Sequence, residues 1–385
     1  MLKAFFVERI TMRIAIFENI MTEGGHEVEF DRILVEELAA LGHDVNFYVP
    51  ENFIFRFDYK VPVTKLSGDA VVYNTSRGIR KIFAAAKREI NRQRWYSQLY
   101  NAQKNFDALI VPTSTYRYLR ALNHSSLKKI SVPLIFILHG INPTEAPNFL
   151  SAAEKLLPYK NVKLCVITLA ENIFSSKLKN IFPTYPPTYT ARDLKNFTPK
   201  INDVLTIGFY GQYRREKKLR DFLNIFVNAN YNREVHLLVQ GSTIHEEDSA
   251  DFENIIAQYK NFNSLNFLHK GLIGAEWQMA IMDVDALLMP YSAPRYKYHW
   301  GGMLFTAIGF KKPVIASSDI NPEVWQKFKI GETFESGNLR ALDTALKNFI
   351  DNFDENILPY KKNLDAAAEI FSPQNFARNL IKLCK

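Results

Sequence analysis

The sequence is poor in cysteine, with only 2 among its 385 residues. Cys165 lies in an apolar run that predicts a strand, and Cys384 is the penultimate residue. A structural disulfide is therefore not expected, and neither cysteine has the neighbours of a metal site. The sequence thus predicts no metal ligation by cysteine.

Long apolar runs are also missing. No stretch of about 18 uncharged apolar residues occurs, which is the length that a membrane-spanning helix requires. The N-terminus lacks the succession of basic, apolar and small residues that marks a secretory signal. We therefore expect a cytoplasmic protein, and 47% hydrophobic residues in a chain of this length suffice for two domains with separate cores.

Negative charge is in deficit, because 48 lysine and arginine residues stand against 40 acidic ones. The excess favours an anionic partner, such as nucleic acid, a membrane surface or a phosphorylated small molecule. No nucleic-acid recognition motif accompanies the charge, so we expect no nucleic-acid binding. Residues 77–104 hold eight of the basic residues against the single acid Glu89.

Apolar residues recur at helical spacing within 77–104, with the aromatic residues Trp95, Tyr96 and Tyr100 beyond them. This pattern predicts a basic amphipathic helix with aromatic residues at one end. Its apolar stripe either dips into an anionic lipid leaflet or packs on its own domain. The segment is therefore a candidate contact with an anionic membrane surface.

Apolar runs alternate with helical patterns along the chain. Residues 12–17 predict a buried first strand, and residues 1–11 form an N-terminal extension before it. A glycine pair, a helix over 26–41 and a second strand at 45–49 complete a βαβ unit, which implies a parallel sheet. The first domain then occupies residues 12–190, with further strands expected at 108–111, 134–138 and 163–167.

Prolines between Phe182 and Asp203 resist both helix and central strand, and we place the interdomain linker at 191–203. A second alternating domain follows over 204–365. Ser372 as cap and Pro373 at the first helical position predict a terminal helix within 366–385, packing back toward the first domain. The fold class is α/β, with two tandem doubly wound Rossmann-like domains facing a central cleft where ligands collect.

The stretch 208–217 is the most informative local signal, because an apolar run precedes it and a helical pattern follows it. Gly208 and Gly211 let backbone amides approach a ligand, and Arg214 and Lys217 stand three apart on one helical face. A helix N-terminus adds partial positive charge. The arrangement suits a diphosphate, and the alternative is a surface turn with solvated charges.

Residues 12–50 and 204–316 resemble the retaining, nucleotide-sugar-dependent glycosyltransferases of the GT-B fold, in the sequence family numbered four. That family binds the nucleotide diphosphate through an arginine and a lysine after the first strand of its second domain. The string 211–217 matches the variant in which the arginine stands three before the lysine. The resemblance therefore implies this catalytic role for Arg214 and Lys217, with Arg215 as the reserve.

Further markers of the family follow in order. They are Val-Gln-Gly at 239–241, Phe-Leu-His-Lys-Gly at 267–271, Met-Pro-Tyr at 289–291 and the glycine-rich stretch 298–307. In the family, amides at the helix start within the last stretch bind the donor phosphate and sugar. The resemblance implies donor-binding roles for Gly211, Gly241, Lys270, Tyr291, Gly301, Gly302 and Met303.

The sequence departs from the family at two positions. Many members carry two glutamates eight residues apart on the donor side, and here Tyr298 and Thr306 stand at those places. Some branches of the family also lack both glutamates, so activity remains the expectation, with nucleotide preference and ribose recognition open. The alternative is a degenerate, non-catalytic member that binds a membrane or a protein partner.

In the first domain, the resemblance implies that Gly24 and Gly25 form the loop that closes over the donor diphosphate. His139, at the end of the predicted strand 134–138, matches the histidine that faces the donor sugar. It is the catalytic candidate of this domain. The acceptor hydroxyls are assigned to Glu18, Glu23 and His26.

The implied reaction moves a sugar from a nucleotide diphosphate sugar to a hydroxyl, with retention at the anomeric carbon. Arg214, Lys217 and helix-end amides would stabilise the leaving diphosphate in place of a metal, so no metal cofactor is expected. Asp283 and Asp285 have the spacing of a metal-binding pair, but they lie between a helix and a strand and are expected to pack and cap.

The basic segment 77–104 favours a lipid-linked saccharide as acceptor, as in lipopolysaccharide or capsule synthesis, and a peripheral place at the inner face of the cytoplasmic membrane. A soluble acceptor is the alternative. A nucleotide-sugar epimerase of the same fold would consume donor without acceptor. A dinucleotide oxidoreductase would need G-x-G-x-x-G after its first strand, and residues 23–26 lack that spacing.

Overall fold

The computed structural model describes residues 11–19, 25–70, 79–122, 124–173, 178–191, 203–291 and 294–385. Glu23 and Gly24, assigned above to the acceptor and the donor, lie outside this described part of the chain. So do residues 1–10 and most of the expected linker.

The first half of the chain alternates strands and helices. Its strands are β1 (Arg13–Phe17), β2 (Asp44–Pro50), β3 (Val63–Leu66), β4 (Ala108–Ser114), β5 (Leu134–Leu138), β6 (Val162–Ile167) and β7 (Ile181–Thr184). Its helices are α1 (Gly25–Ala40), α2 (Ile79–Ala102), α3 (Tyr116–Arg120), α4 (His124–Leu127) and α5 (Ala146–Leu156).

The described strands of this half form a parallel sheet in the order β3-β2-β1-β4-β5-β6-β7. The strand order reverses between β1 and β4, and the carboxyl ends of these strands border a crevice that suits a ligand. Their sequences read as continuous apolar runs because both faces of a parallel sheet are covered by helices. All five strands predicted for this half are present at the expected places.

The second half repeats the pattern. Its strands are β8 (Leu205–Phe209), β9 (Val235–Gly241), β10 (Leu265–His269), β11 (Ala286–Met289), β12 (Val314–Ser317) and β13 (Gly331–Phe334). Its helices are α6 (Leu219–Asn228), α7 (Glu246–Tyr259), α8 (Ala275–Met282), α9 (Pro294–Tyr298), α10 (Gly302–Gly309), α11 (Pro322–Trp325), α12 (Leu339–Asp351), α13 (Phe353–Ile370) and α14 (Pro373–Leu383).

The order of the second sheet is β10-β9-β8-β11-β12-β13, and its described strands are also parallel. The reversal lies between β8 and β11, so this sheet too has a ligand crevice at its carboxyl edge. The two sheets confirm the predicted class of two tandem doubly wound Rossmann-like domains.

The short strands β3, β7 and β13 were not expected from the sequence. β7 includes Pro183, one of the prolines that argue against a helix or a central strand. β7 is an edge strand that pairs with β6 alone, and an edge strand tolerates proline because one side needs no amide donors. The prolines therefore argued correctly against a central strand, and they did not exclude a strand at the edge of the sheet.

The predicted basic helix is α2, and its two ends have different surroundings. Trp95 and Tyr96 are buried in the core, so these aromatic residues are not available to a lipid surface. Ile90, one helical turn earlier, is 58% exposed. The apolar stripe thus packs on the domain at its C-terminal end and faces solvent at Ile90. No described helix is long and apolar enough to cross a membrane.

The chain passes between the two halves twice, and the two connecting segments are in contact. The backbone N–H of Thr188 donates to the carbonyl of Phe371 at 2.8 Å. The terminal helix α14 then lies against α1, where Phe376 meets Phe30 with ring centroids 5.7 Å apart. As predicted, Ser372 caps this helix, because its hydroxyl accepts from the Asn375 amide at 3.3 Å.

The first crossing also packs closely on α10. A Cβ added to Gly309, the last residue of that helix, would stand 1.8 Å from the Tyr189 carbonyl oxygen. Only glycine lets the backbone of this segment approach the helix so closely. The contact joins the segment 188–190 to the second domain.

We expect Gly309→Ala to destabilise the protein by about 3 kcal/mol, because the added methyl group would collide with backbone that cannot shift cheaply. Urea unfolding measures this change. Gly271→Ala is the matched control, since its Cβ would meet only the Ser242 side chain at 3.7 Å, an ordinary contact. Equal stability of the two variants would contradict the close packing of 188–190 on α10.

Candidate functional site

A cavity of about 840 Å³ lies where the carboxyl edges of the two sheets face each other. Residues of both halves line it, so the crevice of each sheet opens into a common space. Of the residues singled out in the sequence, those on its wall are His26, His139, Gly211, Arg214, Lys217, Tyr291, Gly301, Gly302, Met303 and Thr306.

The turn after β8 is held by the strand beside it. Gly211 has φ of +105°, and its amide donates to the side-chain oxygen of buried Gln240 at 2.9 Å. The Tyr213 amide donates to the Ser242 carbonyl at 2.7 Å. A Cβ on Gly241 would approach the Phe252 ring to 2.8 Å, so the Gly241 position is needed for packing and does not line the cavity.

The sequence predicts that a helix begins directly after this turn. The structure shows no long helix at that place. Arg214 is extended, residues 215–217 form a single 3-10 turn, and Lys218 has a left-handed φ of 51°. The helix α6 begins only at Leu219. Arg214 and Lys217 therefore do not share an α-helical face, although both line the cavity.

Lys217 is buried, with 6% of its surface exposed, and it lies among aromatic rings. Its ammonium nitrogen is 4.8 Å from the ring centre of Tyr291 and 5.2 Å from that of Phe209. Among the described residues no carboxylate pairs with it. Burial, together with the charges of Arg214 and Arg295, lowers the pKa of Lys217 to about 7.

Two guanidinium groups accompany this lysine. Arg214 donates to the side-chain oxygen of Gln212 at 2.9 Å and lies 3.8 Å from the Glu216 carboxylate. Arg295, which the sequence did not single out, also lines the cavity and donates to Glu216. It is 79 residues from Glu216 in the chain, so only the fold brings them together.

The N-terminus of α10 forms the next part of the wall. The amides of Gly302 and Met303 have no acceptor within the described chain, as expected for a first helical turn. The Gly301 amide is different, because it donates to the Asn321 side chain at 3.0 Å. The amides of Gly302 and Met303 are therefore available to bind an anion, whereas the amide of Gly301 is already hydrogen-bonded within the protein.

The residues at the two family glutamate positions differ in placement. The Thr306 hydroxyl donates to the Gly302 carbonyl at 2.8 Å inside α10. Tyr298 does not line the cavity, and its ring faces the Lys297 ammonium at 5.8 Å. Neither supplies a carboxylate to the donor side.

A chain of hydrogen bonds connects Tyr189, His26 and His139. The Tyr189 hydroxyl lies 2.7 Å from His26 Nδ1, His26 Nε2 lies 3.0 Å from His139 Nδ1, and His139 Nε2 lies 2.9 Å from the Pro112 carbonyl. Because a carbonyl only accepts, His139 donates from Nε2 and accepts at Nδ1. His26 then donates to His139 and accepts from Tyr189.

The imidazoles of His26 and His139 are both neutral in this series of hydrogen bonds. Burial lowers the pKa of His26 to about 4, and burial together with the neighbouring His26 lowers the pKa of His139 as well. Both ring nitrogens of His139 are engaged within the protein. His139 can therefore present only a ring edge to the cavity, a narrower role than the sequence had suggested.

The floor of the cavity is also a contact between the two domains. Trp300 stacks on Tyr189 at 5.1 Å and meets His26 at 4.7 Å, while its amide donates to the His139 carbonyl at 3.0 Å. Gly140 forms a β-bridge with His299. A Cβ on Gly140 would stand 2.5 Å from the His299 Cα, and its φ is +126°, so this approach requires glycine.

The acceptor side differs from the sequence prediction. Glu18 is buried and does not line the cavity, while Gly25 begins α1. Besides His26 and its neighbours on α1, much of the first-domain wall is formed by residues at the ends of β4 and β5 and directly after them. Their only signal in the sequence is their place at strand ends, and they include Thr113, Ser114, Tyr116, Ile141 and Glu145.

Arg215 and Lys270, two basic residues that the sequence analysis assigns to the donor, also lie outside the cavity wall. Arg215 pairs with Glu247 at 2.6 Å, and Lys270 pairs with Glu276 at 2.9 Å. The Asp285 side chain accepts from the Thr206 amide at 2.8 Å, which is the capping role expected for it. Within the described ranges, no group of three histidine, cysteine, aspartate or glutamate residues could hold a metal ion.

The fold matches solved structures along nearly their whole length. HepE from Anabaena, in complex with UDP and glucose, has 14% identity and a TM-score of 0.66 over 96% of this chain and 98% of that one. Sucrose-phosphate synthase from Thermosynechococcus elongatus has 15% identity and a TM-score of 0.69 over 97% and 98%. WaaG, a glycosyltransferase involved in lipopolysaccharide biosynthesis, has 14% identity and a TM-score of 0.61 over 95% and 99%.

Comparison of the sequence with protein-family profiles and with curated protein sequences gives no match. Identities near 14% show a shared fold and no more. The chain has the two-domain GT-B architecture, which confirms the fold part of the resemblance.

The neutral histidine pair predicts a pH dependence of stability. Unfolded imidazoles, with a pKa near 6.5, take up protons below that pH, whereas the folded pair does not. The free energy of unfolding should therefore fall between about pH 6.5 and 4, by on the order of 1 to 2 kcal/mol per imidazole at pH 5. Urea unfolding of the wild type and of His26→Gln/His139→Gln at pH 5, 6 and 7 measures this contribution.

The double variant should lose this part of the pH dependence. His245→Gln is the control, because His245 is exposed and its replacement should leave the slope unchanged. An unchanged slope in the double variant would show that the two imidazoles titrate normally in the folded protein.

Proposed function

We propose that this protein transfers a sugar from a nucleotide diphosphate sugar to a hydroxyl of a saccharide acceptor. The observation that carries the proposal is that two cations, Lys217 and Arg214, lie beside the free amides of α10 on one interdomain cavity. HepE, which shares the fold, was solved in complex with UDP-glucose. In the present chain, the cations and free amides on the cavity suit the diphosphate of such a donor.

The chemistry would be mainly electrostatic. When the bond between the sugar and the diphosphate breaks, negative charge grows on the leaving diphosphate. Lys217 and Arg214, in a partly buried site, would stabilise that charge without reorganising, as would the amides of Gly302 and Met303. On this proposal the protein's own cations take the part of a divalent metal, and turnover should persist in the presence of a chelator.

Retention of the anomeric configuration is part of the proposal and rests on the resemblance to the family numbered four. In that mechanism the departing phosphate accepts the proton of the acceptor hydroxyl. The acceptor would lie against the strand ends of the first domain, where the Thr113 and Ser114 hydroxyls have no partner within the described chain. An NMR assignment of the product anomer tests this point.

A lipid-linked acceptor, as in lipopolysaccharide or capsule synthesis, is supported by the exposed part of α2. Arg88 and Arg94 flank Ile90, whose side chain is mostly exposed. Basic groups around an exposed apolar side chain suit an anionic leaflet. We therefore propose a peripheral place at the inner face of the cytoplasmic membrane.

Nucleotide binding is the first test. We expect UDP, ADP or GDP to raise the melting temperature without metal, and Arg214→Ala and Lys217→Ala to weaken binding at least tenfold. Arg215→Ala is the matched control, because Arg215 faces away from the cavity. Thermal shift and calorimetric titration measure both.

Lys217 also predicts the pH dependence of this binding. Its pKa of about 7 means that the unbound lysine loses its charge as pH rises, so affinity should fall above pH 7. The dependence should vanish in Lys217→Ala. Donor consumption without acceptor would favour an epimerase, and the absence of any nucleotide binding would favour a non-catalytic, membrane-binding or partner-binding protein.

Membrane binding is tested by sedimentation with vesicles. The wild type should sediment with phosphatidylglycerol vesicles at low salt and be released near 0.5 M salt, where charges about 10 Å apart are screened. Arg88→Glu/Arg94→Glu should not sediment. Lys361→Glu/Lys362→Glu, which makes the same charge change on α13, is the control. Equal sedimentation of the two variants would remove the proposed contact.

A further inference from the structure

Arg295 lies on the cavity wall, and its neighbours in the sequence do not predict that position. It lies on α9, and its guanidinium stacks on the neighbouring Tyr296 ring at 4.9 Å and donates to the Tyr296 hydroxyl at 2.9 Å. The same group contacts Glu216, in the turn that carries Lys217. The stacking fixes its orientation, and the cavity wall includes it.

The contact with Glu216 does little for stability. The Arg295 and Glu216 side chains are 38% and 43% exposed, and pairs this exposed contribute about 0 to 1 kcal/mol. Arg295 also has nitrogen atoms to spare, because Nη1 and Nε have no partner among the described residues. Its place at the cavity therefore calls for a role other than holding the fold.

The charges at this point of the cavity are unbalanced. Arg214, Lys217 and Arg295 are three cationic groups that share one nearby carboxylate, Glu216. The positive field of Arg295 is felt at Lys217, whose pKa it helps to lower. A diphosphate would relieve more of this repulsion than a monophosphate, because it carries more negative charge and spreads that charge over two phosphate groups.

We propose that Arg295 is a third ligand of the donor diphosphate, that it makes the site selective for diphosphates over monophosphates, and that Glu216 competes with the diphosphate for its guanidinium. This inference rests on the proposed function, since it names a further determinant of the same donor site. On this proposal a residue of α9 distinguishes diphosphates from monophosphates. Neither the turn after β8 nor the start of α10 supplies that distinction.

The test is calorimetric titration of the full-length protein with UDP, ADP and GDP, their monophosphates, inorganic pyrophosphate and inorganic phosphate. Arg295→Gln should weaken diphosphate binding at least tenfold and monophosphate binding less than threefold. Arg295→Lys, which keeps the charge, should restore part of the loss. Arg220→Gln is the matched control, because Arg220 is 44% exposed, pairs with Asp251 and lies off the cavity wall.

Glu216→Gln changes the charge in the opposite direction. The amide oxygen still accepts from Arg295, while the competing negative charge is gone, so diphosphate affinity should rise two- to fivefold. A fall in affinity in Glu216→Gln would overturn the competing role given to this carboxylate. Melting temperatures of all variants identify any that fail to fold.

The outcomes separate the two proposals. Diphosphate binding that Arg295→Gln leaves unchanged, or weakens together with monophosphate binding to the same extent, overturns the role of Arg295 and leaves the proposed function standing. Binding of pyrophosphate that depends on Arg295, with no nucleotide bound, supports Arg295 and overturns the nucleotide-sugar donor. A wild type that binds none of these anions overturns both.

Discussion

The Pro112 carbonyl can only accept a hydrogen bond, and the polar floor of the cavity depends on that restriction. It obliges His139 to donate from Nε2, so His139 Nδ1 must accept from His26, and His26 must accept from Tyr189. One backbone oxygen thereby sets the proton positions of three side chains. Because Tyr189 stacks on Trp300, the same series of contacts determines how the two domains meet.

Two kinds of environment lie side by side in the cavity. The floor is aromatic and neutral, since burial keeps both imidazoles uncharged. The wall of the second domain is cationic, with Lys217 held among aromatic rings where its charge is poorly solvated. The neutral floor adds no negative charge beside these cations, which makes the cavity suited to a ligand with an anionic part and an uncharged ring-shaped part.

The strands of both sheets were predictable because continuous apolar runs are what a covered parallel sheet requires. The place of Lys217 on the cavity was predictable, because glycine and basic residues follow such a run. Lys218, which ends the turn before α6, has a left-handed backbone conformation. A lysine gives no sequence signal for that conformation. Arg295 and Trp300 meet their partners only through the fold, and the engagement of both His139 nitrogens depends on Pro112, 27 residues away.

The two passes of the chain between the domains are hydrogen-bonded to each other through Thr188 and Phe371. Two covalent connections at one place behave mechanically as a single pivot, whereas two separated connections would allow only a small shear. A rotation about this pivot would widen the cleft between the domains, and it would have to break the Gly140–His299 bridge, which lies across that cleft. The entry of a large ligand into the cavity would thus require a few named contacts to break.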